Sequence, residues 1–356
     1  MKGVYTAYAL LFVACVSLFA QGKKADEANQ TKDKMVSATF SGIKPRLMGP
    51  AITSGRIGDI AVHPKDKNIW YVVVSSGNVW KTTNAGTSWS PIFDNYGSYS
   101  VGCVTIDEKN PNVIWIGSGE NNSQRSVGWG DGIYKSTNGG DSFENVGLKK
   151  SEHIAKIILD PKNSDIVYVA AQGPLWGPGG DRGLYKSTDG GKTWEKSLYI
   201  NDNTGVTDVV MDPRDNNVLY AASYQRRRHV WTLINGGPDG AIYKTTDAGK
   251  NWFKVMSGNP SGDIGRIGLA ISPQNPDYVY AIIELPEGKG GFYRTSNRGA
   301  SWQKMSDVRS ASAQYYSEIF CDPVTFDKVY SMDTYSTYTE DGGRTWKRIG
   351  LRERHV

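Results

Sequence analysis

Short apolar runs of β-branched and aromatic residues, each bounded by Gly, Pro, Asn or Asp, recur along this chain in a fixed order. One run ends in proline: Ile60-Ala-Val-His-Pro64, Ile157-Ile-Leu-Asp-Pro161, Val209-Val-Met-Asp-Pro213, Leu269-Ala-Ile-Ser-Pro273 and Ile319-Phe-Cys-Asp-Pro323, with Val104-Thr-Ile-Asp-Glu as a variant. A second follows, such as Ile69-Trp-Tyr-Val-Val or Ile166-Val-Tyr-Val-Ala. A third couples an aromatic to a cation: Val79-Trp-Lys, Ile133-Tyr-Lys, Leu184-Tyr-Lys, Ile242-Tyr-Lys, Phe292-Tyr-Arg. Runs of this length and composition predict β-strands.

Each third run leads into one phrase, present six times: Thr82-Thr-Asn84-Ala-Gly86-Thr-Ser-Trp89 and its counterparts around Asn138, Asp189, Asp247, Asn297 and Asp341. The steps between these Asp/Asn positions are 54, 51, 58, 50 and 44 residues. A period near fifty means a repeat architecture. The Asp or Asn accepts bonds from nearby backbone N–H groups, and the glycine two places on supplies a positive φ. The Ser or Thr ties the incoming strand to the turn, and the closing Trp or Phe anchors neighbouring units. These residues predict a fastener rather than catalytic carboxylates, since several copies carry Asn. Four strands per unit, the last starting at the Trp, give an all-β β-propeller. Six blades are visible, or seven with the last incomplete.

The phrase resembles the Asp-box, or BNR repeat, of sialidases, tandem-propeller xyloglucanases and sortilin-type ectodomains. The likeness spans residues 40–356 and is greatest to bacterial exported proteins described as glycosyl-hydrolase-like or sortilin N-terminal-like. It implies the fold; the fastener is shared by enzymes and binding proteins and does not choose between them.

The net charge of +5 is spread without a basic stripe, and the 20 Tyr and 11 Trp sit largely at repeat positions, so no nucleic-acid partner is expected. Residues 1–20 resemble a signal peptide: Lys2, then an apolar run from Val4 to Ala20. Export follows, periplasmic or extracellular, with no integral membrane span after processing. Lipidation at Cys15 is the alternative. Residues 21–39 read as a flexible leader. Cys103 and Cys321 are expected as free thiols. The segment after Trp346 looks like the opening of a further unit. Either residues 40–49 supply an outer strand to blade six, or the chain is part of a longer, seven-bladed protein with further domains.

Loops carry function on a rigid repeat. Those between strands two and three are long in blades two, three and four: residues 117–131, 172–182 and 224–239. There Trp129, Trp176 and Trp231 offer flat faces to sugar rings. Arg125 and the Arg226-Arg227-Arg228 triplet offer bidentate contacts to an anion, or else lock neighbouring loops. The candidate acids are Glu120, Asp131, Asp181 and Asp239. A glycosidase would hold two of them about 5–5.5 Å apart for retention or about 6.5–9.5 Å for inversion. The structural alternative is that each Trp covers its own loop and each Asp caps a turn.

A sialidase would carry a Phe/Tyr-Arg-Ile-Pro phrase, whereas this chain has Gly55-Arg56-Ile57-Gly58. Arg266 lies one residue closer to its proline than Arg56 does, so strict alternation turns the two to opposite faces unless a bulge intervenes. The four histidines show no metal spacing, and no nucleotide or serine-hydrolase motif occurs, so neither cofactor nor metal is expected. The sequence reads as an exported recognition module that binds a glycan or extended peptide on the loop face of blades two to four. A glycoside hydrolase pairing Glu120 or Asp131 with Asp181 or Asp239 is the first alternative. A protein-assembly scaffold is the second.

Overall fold

The computed structural model describes residues 39, 42, 55–123 and 127–350. Expectations for the signal peptide, the leader, Cys15, residues 40–49 and Arg125 fall outside the described residues.

Six antiparallel sheets follow one another along the chain, each ordered from its first strand to its last. Their innermost strands are Ile57–Val62, Val101–Ile106, Ile154–Leu159, Thr204–Asp212, Ile267–Ile271 and Glu318–Cys321. Innermost strands of consecutive blades pack side by side from blade one through blade six. Apolar side chains alternate between the two faces of each sheet, so every blade is coated on both sides. The second strands Ile114–Ser118, Val167–Ala171 and Val279–Ile283 are buried throughout. One such cluster joins Tyr71, Val73 and Val79 of blade one to Val104, Ile114, Ile116 and Tyr134 of blade two.

The repeated phrase folds as its chemistry predicts. In all six copies the Ser/Thr hydroxyl donates to the Asp/Asn Oδ1 at 2.7–2.9 Å. The glycine N–H donates back to that hydroxyl at 2.8–3.0 Å. Four of the six turns, those of blades two to five, are also gripped by the preceding blade. Lys81 Nζ donates to the Gly139 carbonyl at 2.7 Å, Lys135 to Gly190 at 2.8 Å, Lys186 to Ala248 at 2.9 Å and Lys244 to Arg298 at 2.7 Å. The aromatic-plus-cation run is therefore an inter-blade latch.

Blade six takes an outer strand from Lys347–Arg348, paired to Thr337 and Tyr338. The short strand directly after the Trp suffices, as Phe253–Lys254 does in blade four. The long loop of blade four is also partly a hairpin. Its second strand runs from Asp215 to Arg228, and Arg226, Arg227 and Arg228 pair with Asn235, Ile234 and Leu233. Cys103 and Cys321 are both free, the first buried and the second half-buried. No described helix is long and apolar enough to cross a membrane.

Candidate functional site

Strand geometry dictates how the arginine triplet is used. Successive residues point to opposite faces, so Arg226 and Arg228 turn inward while Arg227 turns out. Arg226 is fully buried, and it donates to the Asn122 carbonyl, to Ser123 Oγ at 3.3 Å and to the Gly173 carbonyl at 3.4 Å. Arg228 reaches the Ser123 carbonyl at 3.2 Å, and Arg227 bonds Asn203 at 2.6 Å. Arg182, also buried, gathers the carbonyls of Gln172, Pro174 and Gly177. Burial lowers the pKa of Arg182 to about 10 and that of Arg226 to about 9. Backbone carbonyls, rather than carboxylates, accept most of these bonds.

Arg226 and Arg228 converge on the segment Asn121–Ser123 of the blade-two loop, which blades three to six all contact. Blade one holds the preceding residue through an Arg56–Glu120 ion pair. Blade three accepts Asn121 Nδ2 at the Ala155 carbonyl, 3.3 Å. Blade four supplies Arg226, Arg228 and Tyr224, whose hydroxyl is 3.3 Å from Ser123 Oγ. Arg266 of blade five donates to the Asn121 carbonyl at 2.9 Å and to its Oδ1 at 3.1 Å. The Gln314 carbonyl of blade six accepts Ser123 N–H at 3.1 Å. A bulge between Ile57 and Asp59 adds one residue to blade one, and Arg56 and Arg266 thereby serve the same loop.

Asn121 also lines a cavity of about 60 Å³ whose walls come from the innermost strands of all six blades. Its charged members are Asp59, Lys156, Asp208, Arg266 and Glu318. Lys156 pairs with Asp208 at 2.8 Å, and Arg266 lies 3.9 Å from Glu318. Burial raises the pKa of Asp59 and that of Glu318. Burial pulls the Lys156 ammonium down, but Asp208, Glu318 and Asp59 together outweigh it and the pKa ends raised. Apart from Arg266, these residues were missed at the sequence level. The signal was there: Asp59, Lys156, Asp208 and Glu318 share one repeat position, just before the first apolar run.

The four candidate acids each serve their own surroundings. Glu120 is fully buried, paired with Arg56 and bonded by Gly128 N–H at 3.2 Å. Asp131 accepts the Tyr134 hydroxyl at 2.7 Å, Asp181 accepts Lys150 N–H at 2.8 Å, and Asp239 accepts Asn201 Nδ2 at 2.8 Å. The three tryptophans do the opposite. Trp129, Trp176 and Trp231 are 69%, 47% and 82% exposed. Arg228 N–H donates to the Leu175 carbonyl at 2.9 Å, which sets Trp176 beside the blade-four hairpin. At the hairpin tip, Trp231 stacks on His229 with 7° between the planes. Among the described residues no His/Cys/Asp/Glu group is arranged to hold a metal ion.

A family model described as sortilin, neurotensin receptor 3 (Sortilin-Vps10) matches residues 131–258 and, in an overlapping placement, 182–307. Xyloglucanase Xgh74A of Acetivibrio thermocellus is 24% identical, over 89% of this chain and 43% of the relative. A xyloglucanase of a Paenibacillus species is 24% identical, over 83% of this chain and 31% of the relative. An ancestral GH74 enzyme shares the fold with a TM-score of 0.62 and 23% identity, over 83% of this chain and 39% of that one. YCF48 bound to D1 peptide does so with a TM-score of 0.52 and 17% identity, over 83% and 82%. The chain spans less than half the length of these two xyloglucanases. It is a β-propeller of the sortilin-like, glycosyl-hydrolase-like kind.

Proposed function

We propose that this protein is an exported, carbohydrate-engaging propeller, that its ligand class is a xyloglucan-type polysaccharide, and that sugar rings stack on Trp176 and Trp231. The observation that carries the reading is the exposure of these rings, 47% and 82%, on adjoining elements of blades three and four. Large aromatics elsewhere on the repeat are mostly packed between blades, and an exposed indole face is suited to the apolar face of a sugar. The ligand class comes from the relatives, two of which are xyloglucanases.

Those relatives also favour hydrolysis over binding alone. For that second reading Glu120 is poorly placed, because it is sealed and neutralised by Arg56, and Asp131, Asp181 and Asp239 are each engaged by a local donor. Glu318 is better suited to donate a proton. Its side chain is 41% exposed as a whole, while the packing around its carboxyl at the central cavity raises its pKa.

Affinity electrophoresis and calorimetry with xyloglucan oligosaccharides test the first reading, with Trp176→Ala and Trp231→Ala as variants. Each is expected to weaken binding at least tenfold while leaving the urea midpoint in place. Wild-type protein that ignores xyloglucan, or tryptophan variants that bind as well as wild type, overturns it. Reducing-end release lost in Glu318→Gln supports hydrolysis; release unaffected by that change refutes the role given to Glu318.

A further inference from the structure

Two segments that join the strands of blades five and six enclose a polar hollow of about 270 Å³. One is the loop after Val279–Ile283, and the other is the connection that follows Gln303–Ser306. Among the described residues its walls include Glu284, Gly288, Arg309, Ser310, Ser312 and Gln314, and no aromatic ring lines it. The connection is pinned through its backbone. Ala311 N–H donates to Asp333 Oδ2 at 2.6 Å. The Ser312 carbonyl accepts Tyr315 N–H at 2.8 Å, and the Gln314 carbonyl accepts Ser123 N–H of blade two at 3.1 Å.

The side chains on this fixed frame are left with unused capacity. Among the described residues the Arg309 guanidinium has neither a hydrogen-bond nor an ion-pair partner. Ser310 Oγ is buried and equally without a partner. The acids nearby are already engaged. Asp307 pairs with Lys304 at 2.6 Å and Glu287 with Lys289 at 2.5 Å, while Asp333 accepts the Ala311 and Thr334 amides. Gly288 has a φ of +68°, and a Cβ there would lie 2.8 Å from an Arg309 terminal nitrogen, so the glycine lets the guanidinium lie against the loop. Also in the wall, Glu284 accepts Asn235 Nδ2 at 2.7 Å and Arg266 N–H at 2.9 Å. Burial raises its pKa.

An unengaged guanidinium on a rigid frame is matched by a planar carboxylate, which it holds through two parallel bonds. Serine hydroxyls and a carboxylate acceptor, with no aromatic wall, suit a ligand rich in alcohols rather than an apolar one. Pockets for drug-sized ligands begin at about 300 Å³, so this hollow suits a single ring. We propose that it binds one hexuronate unit of an acidic glycan. Arg309 takes the sugar carboxylate, and Ser310, Ser312 and Glu284 take the ring hydroxyls, with the two carboxylates kept apart. The sugar ring rests on the carbohydrate reading above; the acid rests on Arg309 alone.

Calorimetric titration with glucuronate and galacturonate tests the site, with glucose and acetate as controls. One uronate should bind at least about tenfold more tightly than either control, and Arg309→Gln should remove that advantage. Ser310→Ala should weaken the same uronate several-fold without lowering the urea midpoint, because its hydroxyl bonds nothing in the fold. Trp176→Ala and Trp231→Ala should leave uronate binding unchanged, which separates failure at this site from failure at the tryptophan platform. Uronates bound no better than glucose, or acetate bound as tightly as the uronates, overturns the proposal. So does an Arg309→Gln variant that binds like wild type, or a uronate lost equally in Trp176→Ala.

Discussion

Replacing Arg226 by methionine isolates the inter-blade lock, because methionine retains most of the stem volume while removing the charge and its donors. Burial lowers the pKa of this guanidinium to about 9. Holding the charge in that site therefore costs about 4–5 kcal/mol, at about 1.4 kcal/mol per tenfold. Against this stand three charge-assisted bonds, to the Asn122 and Gly173 carbonyls and to Ser123 Oγ. At about 1.5–3 kcal/mol each they return about 5–9 kcal/mol. The balance favours the arginine by up to about 5 kcal/mol, so Arg226→Met should lower the free energy of unfolding, by about 2–3 kcal/mol at the middle of these ranges. The assay is urea denaturation followed by tryptophan fluorescence, with amide exchange read at Asn121–Ser123. Arg227, one residue along, faces outward and bonds only the Asn203 side chain among its described contacts, so Arg227→Met should cost less than about 1 kcal/mol. Equal effects from the two variants, or unchanged exchange at the loop in Arg226→Met, would refute the lock.

The fasteners should also respond to acid. Hydrogen bonds from the Thr193 hydroxyl and amide hold Asp189 at about 2, and the Asn251 amide and carboxamide hold Asp247 there too. Carboxyls of the unfolded chain titrate near pH ~4. With the folded values lower, the stabilisation is full above that pH and is lost as pH falls from about 4 towards 2. Urea midpoints should fall across that window, and Asp189→Asn with Asp247→Asn should flatten the slope, as sister turns already use Asn; an unaltered slope counts against the assignment. Gly268→Ala should destabilise by about 1–3 kcal/mol in the same titration, because its new methyl meets the Ser317 carbonyl of the next blade. A variant indistinguishable from wild type would mean that the two blades are not tightly apposed there.

Much of the ring was legible because its signals are local and repeated. The turn phrase gave the blade count, and the proline-ended run located the innermost strands, as at Leu269 and Ile319. Contacts across the axis were not legible. Spacing says which unit Asn121 belongs to, but not that Ala155, Arg266 and Gln314 surround its loop. The Arg226–Arg228 triplet read as loop because charge without glycine or proline looks solvated. Backbone pairing to Leu233–Asn235 and burial among carbonyls decided otherwise. The exposure of Trp231 was equally undecidable from sequence, since an indole in a long loop is as apt to roof that loop as to leave it. The charged column at Asp59, Lys156, Asp208 and Glu318 was visible, yet it acquires meaning only once the blades are known to circle a common hollow.

Asn121–Ser123 changes what kind of machine this ring is. Arrays of repeats normally communicate only with immediate neighbours and can fray from an end. Here one short stretch of chain reaches Arg266, 145 residues away, along with partners in blades three, four and six. Its contacts close long loops of chain, the kind that cost most conformational entropy to form. Once seated, it couples units that share no border, and damage at either terminus is felt at the hub.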